Sequence, residues 1–257
     1  MTLDEVLGLI NGRVSYLRAV TSVATHEWSS AGGEWWSCAE LIDDPGVLHA
    51  AVERTKEGFG TDDVGVAASL FTQAYAFRVT SIPLAAHAVG LPVPDISPAR
   101  TAVRLDRPRP TAVALLDPSL TALDVPELAA RVVGAHLAPF VAAVHDAFRV
   151  GERLLWGNVA ASCAVVYRAI EGVADDAIEA VAVRDRAAAF IAADSRFDGL
   201  GAFSMIEVQG AHGWHWDRSN CCLWYRTSSG SYCDNCSLRD PDELREERVR
   251  ALAETPS

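Results

Sequence analysis

Residues 152–171 read ERLLWGNVAASCAVVYRAIE, and their apolar side chains recur with the period of an α-helix. The same period occurs in six further segments, at 2–23, 45–57, 62–79, 82–90, 124–149 and 176–194. Thr2 and Glu5 have the spacing of a capping box, and Pro45 stands where a helix can begin. The segments at 62–79 and 82–90 are expected to be separate helices, with a break near Pro83. The first helix is followed by a tryptophan-rich loop that contains Trp28, Gly32, Gly33, Trp35 and Trp36.

The region between 91 and 124 has a different character. Its six prolines exclude a long helix, and they are Pro92, Pro94, Pro98, Pro108, Pro110 and Pro118. Two short runs, 101–105 and 111–116, read as the strands of a hairpin. Residues 240–254 read as a short polar helix. The predicted fold is mainly α with a small antiparallel β-sheet, in the α+β class.

No clear linker divides the chain. We expect a helical body over residues 1–196, with the hairpin near 100–117, and a cysteine-bearing C-terminal segment over 197–257. At 257 residues the chain is long enough to bury a sizeable core, and one globular domain is favoured over two.

The charge balance excludes several classes of function. Lys+Arg 22 against Asp+Glu 34 gives a net charge of −12, which argues against a general binder of nucleic acid or of anionic membranes. The single lysine, Lys56, excludes mechanisms that need a phosphate-loop lysine, a Ser-x-x-Lys pair or a Schiff base elsewhere in the chain.

The sequence predicts no membrane-spanning segment, since no apolar run approaches the roughly 20 residues that one needs. The longest candidate, 132–144, is interrupted by His136 and Pro139. The N-terminus lacks the basic start and apolar stretch of a signal peptide, so we expect a soluble, cytoplasmic protein.

Four of the six cysteines lie within sixteen residues of one another: Cys221, Cys222, Cys233 and Cys236. Cys38 and Cys163 stand alone and are expected to be small buried side chains. Four neighbouring thiols in a reducing compartment indicate a metal or iron–sulfur site.

The spacing favours a cluster over zinc without excluding zinc. Cys233 and Cys236 have the Cys-x-x-Cys spacing of a zinc knuckle. Cys221 and Cys222 do not, because neighbouring side chains of an extended backbone point to opposite faces. A cluster with two irons offers more room and four thiolate positions.

The segment RSNCCLWYR at 218–226, followed by Cys233-x-x-Cys236, resembles the C-terminal signature of the FhuF-type ferric-siderophore reductases. The interval of ten residues between the cysteine pairs is part of that signature. Weaker similarity extends to 67–75 and to 155–158. Ser237, and the stretch 227–229, stand where that family commonly has proline.

The resemblance implies a 2Fe–2S cluster held by Cys221, Cys222, Cys233 and Cys236. The implied activity is one-electron reduction of siderophore-bound Fe(III) to Fe(II), because Fe(II) is held less tightly by oxygen donors and can leave. The alternative is a non-catalytic four-thiolate zinc or iron–sulfur protein that binds or senses.

Electrons are expected from a separate donor, such as a ferredoxin or a flavin or NAD(P)H reductase. The Gly199-x-Gly201 pattern continues with Ser204, where a dinucleotide fingerprint needs glycine, and no βαβ context surrounds it. The sequence therefore predicts no nicotinamide or flavin site on this chain.

The neighbours of the cysteines are candidate contacts for the substrate or the electron donor: Arg226, Arg218, Trp224 and Trp214. Core aromatics and surface ion pairs are the alternative interpretation.

His212 and His215 suggest a Rieske-type site with two histidine ligands, but the four cysteines make histidine ligands unnecessary. The only basic concentration, Arg100, Arg104, Arg107 and Arg109, reads as a solvated strand face or as a contact for substrate or partner.

Overall fold

A computed structural model describes residues 1–17, 19–22, 35–106 and 108–254. The protein is 58% helical and 16% strand, and the strands form small sheets that are mostly antiparallel. The helices are α1 (Leu3–Arg13), α2 (Cys38–Asp43), α3 (Pro45–Phe59), α4 (Val64–Ala88), α5 (Val125–Ala129), α6 (Ala138–Phe148), α7 (Glu152–Glu171), α8 (Ala177–Ala192) and α9 (Pro241–Ala253). A π-helical stretch, Ala130–Leu137, joins α5 to α6. The predicted fold class is confirmed.

Within the described ranges the strands form three small sheets. They are β1 (Ala19–Val20), β2 (Trp35–Ser37), β3 (Val93–Pro94), β4 (Thr101–Asp106), β5 (Arg109–Leu115), β6 (Leu120–Thr121), β7 (Gly201–Val208) and β8 (Ala211–Arg218). The predicted hairpin is β4–β5, and β1 and β2 extend it to the order β1-β5-β4-β2. The β1–β5 pairing is parallel. The strands β3 and β6 pair with each other, and so do β7 and β8.

The first helix is shorter than predicted. The capping box is present, with the Glu5 N–H donating to Thr2 Oγ1 at 3.2 Å, but α1 ends at Arg13 and not near residue 23. The backbone turns extended at Val14, and Ala19 then pairs with Val113 of β5. Sheet pairing therefore outweighs the helical pattern. Of the tryptophan-rich loop, residues 28, 32 and 33 lie outside the described residues, and Trp35 and Trp36 form β2.

The predicted break near Pro83 is wrong, because α4 runs unbroken from Val64 to Ala88. Proline lacks the N–H that would bond the Val79 carbonyl, which costs about 3 kcal/mol in an isolated helix. Nearly every residue of α4 after Val66 is buried, so a break would expose the apolar second half. Packing around the second half, where Val79 to Ala88 are all buried, holds the helix together.

One apolar core joins the helices to the C-terminal hairpin. Helices α4 and α7 pack along each other, and Tyr75 of α4 stacks on Phe140 of α6 with ring centroids 3.8 Å apart. Trp214 and Trp216 of β8 belong to this same core. The core therefore fixes β8, and with it the residues that follow Arg218, against the helical body.

The hairpin β7–β8 was not predicted from the sequence. Gln209 and Gly210 both have positive φ, the conformation of the two-residue turns that match strand twist. Side chains at 214, 216 and 218 are buried and their neighbours at 215 and 217 are not, so a period of two was available as a signal.

One continuous helical segment, Val125–Phe148, is long and apolar enough to cross a membrane, judged over the part of the chain that the structure describes. It contains the apolar run that the sequence singled out. Half of its apolar window is buried inside the protein. A core helix of a water-soluble protein meets the same criteria, so the segment is weak support for a membrane span.

A buried hydrogen-bond chain crosses the core at His136. Its Nδ1 lies 2.5 Å from the Ile96 carbonyl oxygen and its Nε2 lies 2.7 Å from Tyr75 Oη. Because a carbonyl can only accept, Nδ1 carries the hydrogen and Nε2 accepts from the tyrosine. Burial lowers the pKa of His136 to about 4, so the folded protein holds it neutral.

We expect this histidine to make stability depend on pH. In the unfolded chain the imidazole takes up a proton near pH 6.5, and in the folded chain only near pH 4. The stabilisation is complete above pH 6.5 and is lost as the pH falls towards 4, by about 3 kcal/mol. Urea unfolding across this range should show the loss, and His136→Gln, which can still accept and donate, should reduce it. Equal pH dependence in both proteins would contradict the assignment.

Candidate metal centre

The structure brings the sulfurs of the four neighbouring cysteines together in two pairs. Cys222 Sγ lies 3.7 Å from Cys233 Sγ, and Cys221 Sγ lies 3.7 Å from Cys236 Sγ. Each pair takes one member from the adjacent cysteines and one from the Cys-x-x-Cys turn. Two thiolates on one tetrahedral metal at 2.3 Å are about 3.8 Å apart, so each pair has the spacing of two ligands of one metal.

A sharp bend lets the adjacent cysteines serve different partners. Leu223 has φ 70° and ψ 10°, the left-handed conformation, and its N–H donates to Cys221 Sγ at 3.3 Å. In the Cys-x-x-Cys segment, the Cys236 N–H donates to the Cys233 carbonyl at 3.0 Å and closes the turn. The adjacent cysteines therefore still diverge to different partners, and both sulfurs nevertheless lie in the same site.

The donor set fits a cluster with two metals better than a single ion. Among the described residues, no three His, Cys, Asp or Glu side chains converge as a group that would hold one metal ion. Two thiol pairs match the two irons of a 2Fe–2S cluster, each of which takes two thiolates. Soft sulfur donors without carboxylates are also typical of iron–sulfur clusters.

The thiols of Cys222 and Cys233 share a proton unequally. A hydrogen bond from the Cys233 thiol lowers the pKa of Cys222 to about 6, and the nearby Arg218 charge acts in the same direction. The same hydrogen bond raises the pKa of Cys233. Burial raises the pKa of Cys221 to about 11. The lowered pKa favours the thiolate form of Cys222, and metal binding must release protons from Cys221 and Cys233, whose pKa values are raised.

A buried polar chain supports the backbone at Cys222. The Ser69 hydroxyl of α4 donates to the Cys222 carbonyl at 2.9 Å, and Asn158 Nδ2 of α7 donates to Ser69 Oγ at 2.8 Å. Arg218, which is 8% exposed, donates to Asn158 Oδ1 at 2.5 Å. We refer to Ser69, Asn158 and Arg218 as the support triad. It connects two helices and β8 to the cysteine segment.

A glycine lets the cysteine segment approach α7 closely. A Cβ added to Gly157 would lie 1.9 Å from Asn220 Oδ1, which is too close for any side chain. Asn220 Nδ2 also donates to the Leu154 carbonyl at 3.1 Å. Ser69 and Gly157, which lie in the segments 67–75 and 155–158 of the weaker resemblance, are therefore among the residues that contact the cysteine segment.

The predicted neighbours fall into different environments. Arg218 lies beneath the cysteines in the support triad, and Trp224 packs edge-on against Phe59 with centroids 5.1 Å apart, in a cluster that includes Cys222. Arg226 is exposed and forms an ion pair with Asp63 at 2.9 Å. Trp214 is buried in the main core and not in the cluster around Cys222.

The remaining candidates lie apart from the cysteine pairs. His212 and His215 are on β8, and no metal-binding group of the described chain includes them. Arg107 lies outside the described residues. Cys38 and Cys163 are fully buried, and burial raises the pKa of each to about 12.

A cavity of about 320 Å³ lies between α4, α7 and the cysteine segment. Cys222 and Cys233 are in its wall, with Trp224 beside them. Arg78 and Arg109 are also in the wall. Of these two, Arg109 belongs to the basic concentration seen in the sequence. Arg78 had no signal, because only the packing of α4 against β5 brings it there.

Residues 218–238 match the model of the family described as the FhuF 2Fe-2S C-terminal domain. This match covers all four cysteines and confirms the resemblance read from the sequence. It points to a 2Fe–2S cluster as the cofactor, and the family implies an iron–sulfur oxidoreductase. No protein in a search of curated sequences matches the chain.

Proposed function

We propose that this protein is a ferric-siderophore reductase. Its 2Fe–2S cluster would be held by Cys221, Cys222, Cys233 and Cys236. It would reduce siderophore-bound Fe(III) to Fe(II) and so release iron in the cytoplasm. The observation that carries the proposal is the arrangement of two thiol pairs, each 3.7 Å apart, inside the segment that matches a 2Fe–2S family.

The chemistry needs one electron for each iron released. Oxygen-donor chelators hold the hard ion Fe(III) tightly and Fe(II) much less tightly, so reduction opens the chelate. When bound, a 2Fe–2S cluster supplies single electrons. The electron that reduces one Fe(III) is replaced by an external donor, a ferredoxin or a flavin or NAD(P)H reductase, and neither step requires a protein acid or base.

The fold would hold the four cysteines in place and determine how far each is exposed to solvent. Cys222 and Cys236 are each 2% exposed, whereas Cys221 and Cys233 are partly exposed. One side of the site is therefore anchored on the core and the other faces outward. The support triad fixes the anchored side, and its buried arginine places positive charge next to thiolates that carry negative charge.

Single-turnover kinetics tests the proposal. The cluster-loaded chain is photoreduced without oxygen and mixed with a ferric siderophore, and its visible absorption is followed. We expect rapid reoxidation, with one Fe(II) trapped by a chelator for each electron released. The gallium(III) form of the same siderophore, which cannot be reduced at biological potentials, is the control and should leave the cluster reduced.

Survival of the reduced cluster with every ferric siderophore tried would contradict the reductase and support a binding or sensing role. A colourless protein that holds one zinc and no sulfide would contradict the assignment of a 2Fe–2S cluster.

A further inference from the structure

We infer that the cavity beside Cys222 and Cys233 binds an anionic iron(III) chelate, which deepens the proposed function and rests on it. The occupant is a complex such as a tris-catecholate, whose three doubly charged rings leave a net charge of about −3 on iron(III). Neutral trihydroxamate complexes should bind more weakly. Three features of the wall carry the inference: its apolar surface, its charge and its position.

The apolar part of the wall suits flat rings. Phe59, Phe77 and Trp224 contribute aromatic faces, and Leu70 and Val165 add aliphatic surface. At about 320 Å³ the cavity is at the small end of ligand pockets, so it holds one arm of a chelate while the rest stays in solvent.

The charge of the wall is positive in an acidic protein. The Arg109 side chain is exposed and has no ion pair or hydrogen bond within the described ranges. Arg78 donates to the carbonyl oxygens of Pro110 at 3.3 Å and Tyr16 at 2.8 Å, which fixes its guanidinium at the wall. The described wall residues include no carboxylate, although the chain as a whole carries −12. Such a local field selects anions.

The position of the wall places the chelate next to the proposed ligands. Cys222 and Cys233 are themselves wall residues, so no other side chain needs to separate the bound complex from this thiol pair. A second cavity, of about 600 Å³, also contains Cys233, but its wall mixes Arg168 and Arg248 with Asp234 and Glu247. The charges of that wall balance, whereas the described wall of the first cavity carries two arginines and no carboxylate.

Gallium(III) complexes test the inference without redox chemistry. Equilibrium dialysis of the cluster-loaded chain should show tighter binding of the gallium tris-catecholate than of the neutral gallium trihydroxamate. Arg109→Gln should weaken the anionic complex about fivefold, as expected for one partly screened charge, and change the neutral one less than about twofold. High salt should remove the difference. Arg131→Gln, at an exposed arginine outside the wall, is the matched control and should change neither affinity.

A second variant tests the location. Ala74 is a partly exposed wall residue, and Ala74→Phe should fill the cavity and weaken both complexes about tenfold or more while the visible spectrum is kept. Equal affinity for both complexes, or unchanged binding in Arg109→Gln, would overturn the charge preference. Unchanged binding in Ala74→Phe would overturn the site. Gallium binding with no reoxidation by any ferric chelate would contradict the reductase and leave the site standing.

Discussion

Cys233→Ser should abolish the visible absorption and the reduced-state paramagnetic signal of the protein. Iron and inorganic sulfide should fall from about two of each per chain to near zero. The reason is that serine offers a hard oxygen that stays protonated, whereas the cluster needs a soft thiolate. The pairing of Cys233 with Cys222 at 3.7 Å means that one of the two thiol pairs is broken.

Cys163→Ala is the matched control for this substitution. Cys163 is fully buried in α7, so its loss removes a thiol and a little packing without touching the four neighbouring cysteines. This variant should keep iron, sulfide and spectrum. A Cys233→Ser protein with the full complement of iron and sulfide would show that Cys233 is not a ligand.

Asn158→Ala should destabilise the chain by about 3 kcal/mol. Asn158 is fully buried, and its removal leaves the Arg218 guanidinium, which donates to Asn158 Oδ1, in a buried place without that acceptor. It also removes the amide that donates to Ser69 Oγ, so the Cys222 carbonyl loses its organised support. Urea unfolding measures the first effect, and the rate of iron loss to a chelator, which should rise, measures the second.

Two further variants separate the triad from ordinary packing. Ser162→Ala removes a neighbouring hydroxyl on α7 that donates to carbonyl oxygens, and it should cost only about 1 kcal/mol. Adding Arg218→Met to Asn158→Ala should recover part of the loss, because the unpaired charge is gone. If Asn158→Ala proved as mild as Ser162→Ala, the triad would not be a support of the cysteine segment.

Much of the helical body could be predicted from local patterns. The segments at 45–57, 152–171 and 240–254 became α3, α7 and α9, and the hairpin became β4–β5, because caps, prolines and periodicity all act locally. The failures came where packing outweighed a local rule. Pro83 is tolerated because the residues of α4 around it are all buried.

The candidate site divides in the same way. The four cysteines follow from spacing alone, since the donor atoms lie in one short segment. Their crossed pairing does not, because it depends on the left-handed backbone of Leu223. Nor could Ser69 and Asn158 be assigned as supports, since each is an ordinary helical residue until the fold places α4 and α7 beneath Cys222.

The support triad means that the metal-binding segment is not a portable module. Its four sulfurs all belong to residues 221–236. The segment is nevertheless supported by a residue 153 positions earlier in the chain, since the Ser69 hydroxyl donates to the Cys222 carbonyl. Transferring this segment alone to another protein would supply the four thiols without the hydrogen bonds from Ser69 and Asn158 that support it. We therefore expect the segment to need the helices that carry Ser69 and Asn158 in order to keep its geometry.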